Sequence, residues 1–330
     1  MAQYSLEAAS NNTPMRQGSL AAVEGTGVAF LHRGCLAMLK QKTIVDAVTL
    51  TGVGVHSGEQ ASLHIKPAPA DSGIRFVRSD LPGMPGILTS PDAVHSTAHQ
   101  ATVLGGDAFT IATTEHCLAA LAGFEIDNAV VEVDGGEFPI GDGSAQVYID
   151  ALEKAGSEEQ DAAREFMVIT DKVVFGDEET FAAIEPYDGL RISCTIAFSH
   201  RRIGDQSLTL DVNPQSFKRE IGSARTFGFL KDRERAKAMG IGLGASLDNT
   251  VVLDDAGVLN VGGLRFPDEF VRHKMLDALG DLAVLGSPVR GHLEARRSGH
   301  EVMQGLVKKI AATKSCYRRA TFDALPGTGQ

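Results

Sequence analysis

His273, Asp277 and Asp281 stand four and eight residues apart in "FVRHKMLDALGDL" (residues 270–282), a spacing that a helix converts into nearly one face. Four residues turn a helix through about 400°, so the imidazole and the first carboxylate project side by side, about 6 Å apart. That pair suits two ligands of one divalent ion and is compatible with zinc, whose catalytic sites use three protein ligands and leave one position for water. A hydrogen-bonded (i, i+4) His–Asp pair on a solvated face meets the same spacing. The apolar residues between them indicate a buried helix, which leaves the interior-facing charges in need of a reason.

Three further segments bear on the same chemistry. In "TTEH" Glu115 directly precedes His116 at the start of a predicted helix, so the two can supply a base and a ligand to one site; adjacent Glu and His are also common on exposed turns. In "RRSGHEVMQGL" Ser298 reads as an N-cap and His300 falls in the first turn. A helix N-terminus disfavours the imidazolium, so a charged His300 needs a carboxylate, and Asp281 is the candidate. In "SARTFGF" Thr226 sits at a helix-to-strand corner, where its hydroxyl is either structural or, beside a metal, a donor to an oxyanion.

Elements must bring these segments together. The chain has 330 residues, which suggests two domains of about 130–150 residues. Residues 1–37 are rich in Ala, Ser, Asn, Gln and Gly without periodicity and read as a disordered extension, with Met38 an alternative initiator. "TIVDAVTLTGVGVHSG" and "QASLHIKPA" predict a β-hairpin, and helices are predicted at 113–124 and from Ser144 to about 155. The polar stretch "AGSEEQDAAREF" (155–166) reads as the linker, so the domains run over 38–160 and 161–316, with a tail at 317–330. Past the linker, strands are expected near 167–175, 180–185 and 190–198. Helices are expected at 214–224, in "PDEFVRHKMLDALGDLAVLG" and in "SGHEVMQGLVKKIAATK". Strands followed by helices in each half predict an α+β fold of two similar domains, each a helix layer on a mostly antiparallel sheet.

Composition narrows what such a site acts on. The net charge of −11 is the wrong sign for a phosphate-backbone binder, and with no Trp and 6% aromatics there is little to stack on bases, so no nucleic-acid partner is expected. Cys35, Cys117, Cys194 and Cys316 lie far apart without a CxxC pair, which argues for reduced thiols in a cytoplasmic protein. No apolar run approaches the roughly 18 residues of a membrane span, and "GVAFL" is too short for a signal-peptide core; contact with a membrane surface stays open.

In order along the chain, "TGVGVHSG", "TTEHCLAALAG", "SARTFGF" and "RFPDEFVRHKMLDALGDL…SGH" closely resemble the UDP-3-O-acyl-N-acetylglucosamine deacetylases, zinc enzymes of bacterial lipid A synthesis, over roughly residues 38–316. The resemblance implies hydrolysis of the N-acetyl group of UDP-3-O-(3-hydroxyacyl)-N-acetylglucosamine by a monomer. It implies one Zn2+ per chain, or Fe2+ in cells, on His116, His273 and Asp277. It also makes Glu115 the base, His300 the acid with Asp281 behind it, and Thr226 the oxyanion donor. Lys274, Phe198 and Phe227 correspond to substrate-site residues near phosphate and sugar oxygens, uracil and sugar. Arg297 stands where relatives often carry lysine, and with Lys274 makes a local positive site for the nucleotide end. The implied fold places the site between the domains and adds a small insert to each. The second insert, at about 229–254, forms an acyl passage, with "GIGLGASLDNTVVL" as a β element lining it. Gln100 occupies the position of an inhibitory fourth ligand in some relatives, so that feature is not expected here.

Overall fold

The computed structural model describes residues 38–97 and 101–323; the expected extension at 1–37, Gln100 and the end of the expected tail lie outside the described residues. The architecture is α+β, with antiparallel pairing predominant. A five-stranded sheet runs Val48–Val53, Gln60–Pro67, Ala129–Val133, Ile74–Arg78, Gly86–Leu88, and only its Ile74–Arg78/Ala129–Val133 pair is parallel. A seven-stranded sheet centres on Val289–Arg296, which pairs antiparallel with Phe181–Glu185 and parallel with Leu190–Ala197 and Glu165–Ile169.

The predicted hairpin forms as read, with Leu50 opposite Leu63 and Val48 opposite Ile65. The stretch expected as the linker, 155–166, carries regular structure. Ser157–Ala163 is a strand, paired antiparallel with Lys40–Ile44 in a two-stranded ribbon. Its polar composition misled because this strand is itself largely exposed, while the buried residues of the ribbon, Thr43 and Ile44, lie on the partner strand; Lys40 pairs with Asp161 across it at 3.4 Å. Strand Asp205–Asp211, which the motifs did not anticipate, pairs with Leu190–Ala197. The expected β element at 240–253 is a strand only over Val251–Asp254, because Gly240 and Gly242 take φ of 71° and 68° and turn the chain.

The helices are α1 (Glu115–Gly123), α2 (Gln146–Ala155), the single turn α3 (Pro214–Ser216) that continues as a π-helical turn, α4 (Arg233–Ala238), α5 (Glu269–Ala283) and α6 (His300–Ala312). Helix α5 is buried nearly all round: Phe270, Val271, Met275, Leu276, Leu279 and Leu282 are each at most 2% exposed. It packs on Leu190–Ala197 and Asp205–Asp211 of the sheet and against α1 and α6. Between α1 and α5 the approach is so close that a Cβ built at Gly280 would overlap the carbonyl of Glu115. A side chain there forces the helices apart at the residue before His116.

Gly280→Ala is therefore expected to cost about 1–3 kcal/mol by overpacking. Thermal unfolding checks this, and an unchanged midpoint would show that the helices have room to spare.

Candidate metal centre

Backbone placement explains why four distant segments meet. Helix α5 presents His273, Asp277 and Asp281 along one side, as its spacing predicted. The start of α1 delivers Glu115 and His116 at the Gly280 contact, and the start of α6 delivers His300. Gly299, and not Ser298, is the N-cap residue of α6, and it makes no side-chain cap.

His116, His273 and Asp277 are all buried, and one potential ligand atom from each lies within 4.8 Å of the other two. Asp277 Oδ1 is 3.5 Å from His116 Nε2 and 3.3 Å from His273 Nε2. That oxygen has no hydrogen-bond partner although it is buried, a costly state for a carboxylate unless a cation completes it. His273 Nδ1 donates to the Ala224 carbonyl at 3.1 Å, which leaves Nε2 with its lone pair toward the cluster. Burial pushes His273 down to about 4, so the ring stays neutral, the form that binds metal. Burial alone would raise Asp277, but His273 and Lys274, whose Nζ donates to Oδ2 at 2.9 Å, hold the carboxyl well below the usual range. Two imidazoles and one carboxylate with an orphaned oxygen fit a divalent ion of borderline softness.

Beside this group lie Glu115 and His300, with Glu115 Oε1 4.0 Å from His300 Nε2. Burial raises Glu115, against the pull of His300 and His116. Burial disfavours the His300 cation, but Asp281 outweighs it through charge and through a 2.8 Å hydrogen bond from Nδ1 to Oδ2, raising His300 to about 9. The environments of these two groups thus keep a carboxyl basic and an imidazole charged at neutral pH.

Thr226 is half-buried at the start of strand Phe227–Phe229, fixed by its N–H to Gly143 O (2.7 Å) and its carbonyl to Val251 N (2.8 Å). Neighbouring Arg225 forms a buried pair with Glu269, 2.8 Å from Nε to Oε1, which anchors this corner to the first turn of α5. Phe227 packs edge-on against Phe198 (5.6 Å between centroids) and Phe270 (4.9 Å), and Lys274 Nζ lies 5.9 Å above its ring. Phe198, Phe227 and Lys274 thus form one wall continuing from the metal group. The Arg297 guanidinium instead pairs with Glu179 at 3.0 Å, close in sequence to His300.

Sequence reasoning missed three buried groups that hold these residues. Glu137 accepts from the backbone N–H of His56 (2.9 Å) and Ser57 (2.8 Å) and from Thr113 Oγ1 (2.9 Å), tying "TGVGVHSG" to the turn before α1. Thr113 there takes a φ of +58°, strained for a β-branched residue. Thr102 and Gln304 bond the Asp281 carboxylate. The glutamate in "GGEFP", set between a glycine pair and an apolar Phe–Pro–Ile run, was the one detectable signal.

The fold and site define an α+β protein with a buried His–His–Asp group able to hold a metal ion, flanked by a basic carboxyl and a charged imidazole. Residues 41–312 match the LpxC family model, described as UDP-3-O-acyl N-acetylglycosamine deacetylase. The UDP-3-O-acyl-N-acetylglucosamine deacetylase of Bdellovibrio bacteriovorus is 48% identical over 287 residues, 87% of this chain and 95% of its own length. Those of Myxococcus xanthus and Pseudoalteromonas translucida are 47% and 44% identical, over 84% and 87% of this chain and 88% and 95% of their own lengths. This chain belongs to the UDP-3-O-acyl-N-acetylglucosamine deacetylase family. Among the described residues no helix is long and apolar enough to cross a membrane.

Two outcomes follow from this geometry. His273→Ala or Asp277→Asn is expected to abolish stoichiometric metal binding, read by elemental analysis of the purified protein. Because His300 is raised when folded, its pairing contributes stability in full below about 6.5, lost as pH rises through about 9. The stability gap between metal-free wild type and His300→Ala, on the order of 3 kcal/mol at low pH, should therefore shrink toward pH 9 in denaturant titrations.

Proposed function

We propose that this chain hydrolyses the N-acetyl group of UDP-3-O-(3-hydroxyacyl)-N-acetylglucosamine, giving UDP-3-O-acyl-glucosamine and acetate, the committed step of lipid A synthesis in a Gram-negative cytoplasm. The observation that carries the reading is the unpartnered Asp277 Oδ1 between two imidazoles, with Glu115 and His300 4.0 Å apart beside it. Zinc is the metal proposed, held one per monomeric chain by His116, His273 and Asp277, with Fe2+ as the alternative in cells. When bound, the metal supplies Lewis-acid polarisation of the acetamide carbonyl and acidifies water.

The chain's own groups do the rest. Glu115, kept basic by burial, takes a proton from the attacking water. Thr226 donates to the developing oxyanion, a contact typically worth about 3 kcal/mol. His300, charged by Asp281, gives its proton to the amine nitrogen as the C–N bond breaks. Lys274 and Arg297 offer positive charge to the nucleotide end, Phe198 a face for uracil and Phe227 a wall for the sugar. In this reading, residues 38–160 and 161–316 are two domains with the site between them, and the insert at 229–254 receives the acyl chain.

Zinc-loaded protein should release acetate from the UDP-linked 3-O-acyl substrate. Removing four methylenes from the acyl chain should cost about 200-fold in kcat/KM, at about 0.8 kcal/mol each. Equal rates with the analogue lacking the 3-O-acyl group would overturn the assigned substrate. Glu115→Ala should keep its metal while turnover falls by about 10²–10⁴. In His300→Ala the alkaline limb of the pH–rate curve should disappear, and an unchanged profile would remove His300 as the acid.

A further inference from the structure

We propose that Thr102 is a positioning residue for both proton-transferring groups: its backbone N–H holds Glu115, and its hydroxyl holds the carboxylate behind His300. The proposal rests on the acid–base reading above and adds a residue to it.

Thr102 is wholly buried, immediately before strand Val103–Gly105. Its N–H donates to Glu115 Oε2 at 3.2 Å, and its carbonyl accepts from Thr114 Oγ1 at 3.2 Å, at the residue preceding Glu115. Its hydroxyl donates to Asp281 Oδ1 at 2.5 Å and lies 3.5 Å from His300 Nδ1. One residue thereby touches the start of α1, the carboxyl-terminal half of α5 and the start of α6.

The consequence for Asp281 follows from counting its bonds. Oδ2 accepts from His300, and Oδ1 accepts from Thr102 and, at 3.1 Å, from Gln304 Nε2. The Thr102 bond is the shorter of the two on Oδ1, so it fixes the rotation of the carboxylate and with it the direction in which His300 Nε2 faces Glu115. A hydroxyl donor also draws charge from the carboxylate, which weakens the attraction that Asp281 exerts on the imidazolium. The ionisable groups around His300 are Asp281 and, farther off, Asp277 on α5, and Glu115 on α1. Thr102 and Gln304 are neutral, so changing Thr102 alters the Asp281 interaction without adding or removing a charge.

Thr102→Val keeps the side-chain shape and the backbone donor and deletes only the hydroxyl. In the zinc-loaded full chain, imidazole NMR of His300 should then show its titration midpoint moved to higher pH than in wild type. Misorientation of the acid should lower kcat about 10–100-fold with KM nearly unchanged. Thr102→Ser, which restores the hydroxyl, should return both readings to wild type. A purely structural role moves stability but leaves the His300 midpoint in place, so an unmoved midpoint in folded Thr102→Val overturns the proposal. Serine behaving like valine overturns it equally. Should Thr102→Val fail to fold, Thr102→Ala against Thr102→Ser carries the same comparison. The NMR midpoint needs no substrate: absence of turnover in wild type removes the proposed substrate, while the midpoint still decides the role of Thr102.

Discussion

The centre depends on the contact between α5 and the first residue of α1, where Gly280 admits the Glu115 carbonyl with no Cβ between them. His116 follows Glu115 directly, and Gly280 lies between Asp277 and Asp281 on the opposite helix. Helix separation at this point thus sets the distance between a ligand on one element and two carboxylates on the other. Packing, and not a flexible loop, gives the metal group its dimensions. That is how a site built from distant parts of the chain is held in one geometry.

Burial at this contact then sorts the charges. Desolvation alone would neutralise every ionisable group in the cluster, raising the carboxyls and lowering the histidines. It prevails at His273 and Glu115, which become a neutral imidazole and a basic carboxyl. It loses at Asp277 and His300, where a nearby opposite charge is stronger. The same low-dielectric interior therefore yields two opposite outcomes, according to whether burial or the attraction of neighbouring opposite charge is the stronger at each group.

Much of the centre was legible before any coordinates. The i, i+4, i+8 spacing of His273, Asp277 and Asp281 survives as one side of a helix, because helical periodicity is a local property. His116, Glu115, Thr226 and His300 became interpretable as a set in a fixed order, each alone being compatible with an ordinary cap or surface turn. Thr102, Gln304 and Gly280 were not legible, and Glu137 only faintly so. Each acts through a partner more than ten residues away in sequence, and a single threonine, glutamine or glycine carries no periodic signature of such a contact. Ser157–Ala163 was misread for a related reason: an exposed strand whose partner carries the buried residues of the ribbon does not alternate apolar and polar residues.

Glu137 joins three backbone or side-chain donors from two segments, His56 and Ser57 on one and the strained Thr113 on the other. Left-handed backbone at a β-branched residue relaxes once its anchor lets go, and the His56–Ser57 turn loses the same acceptor at that moment. A single buried carboxylate thus couples the two segments, so whatever loosens one of them also weakens the anchor of the other.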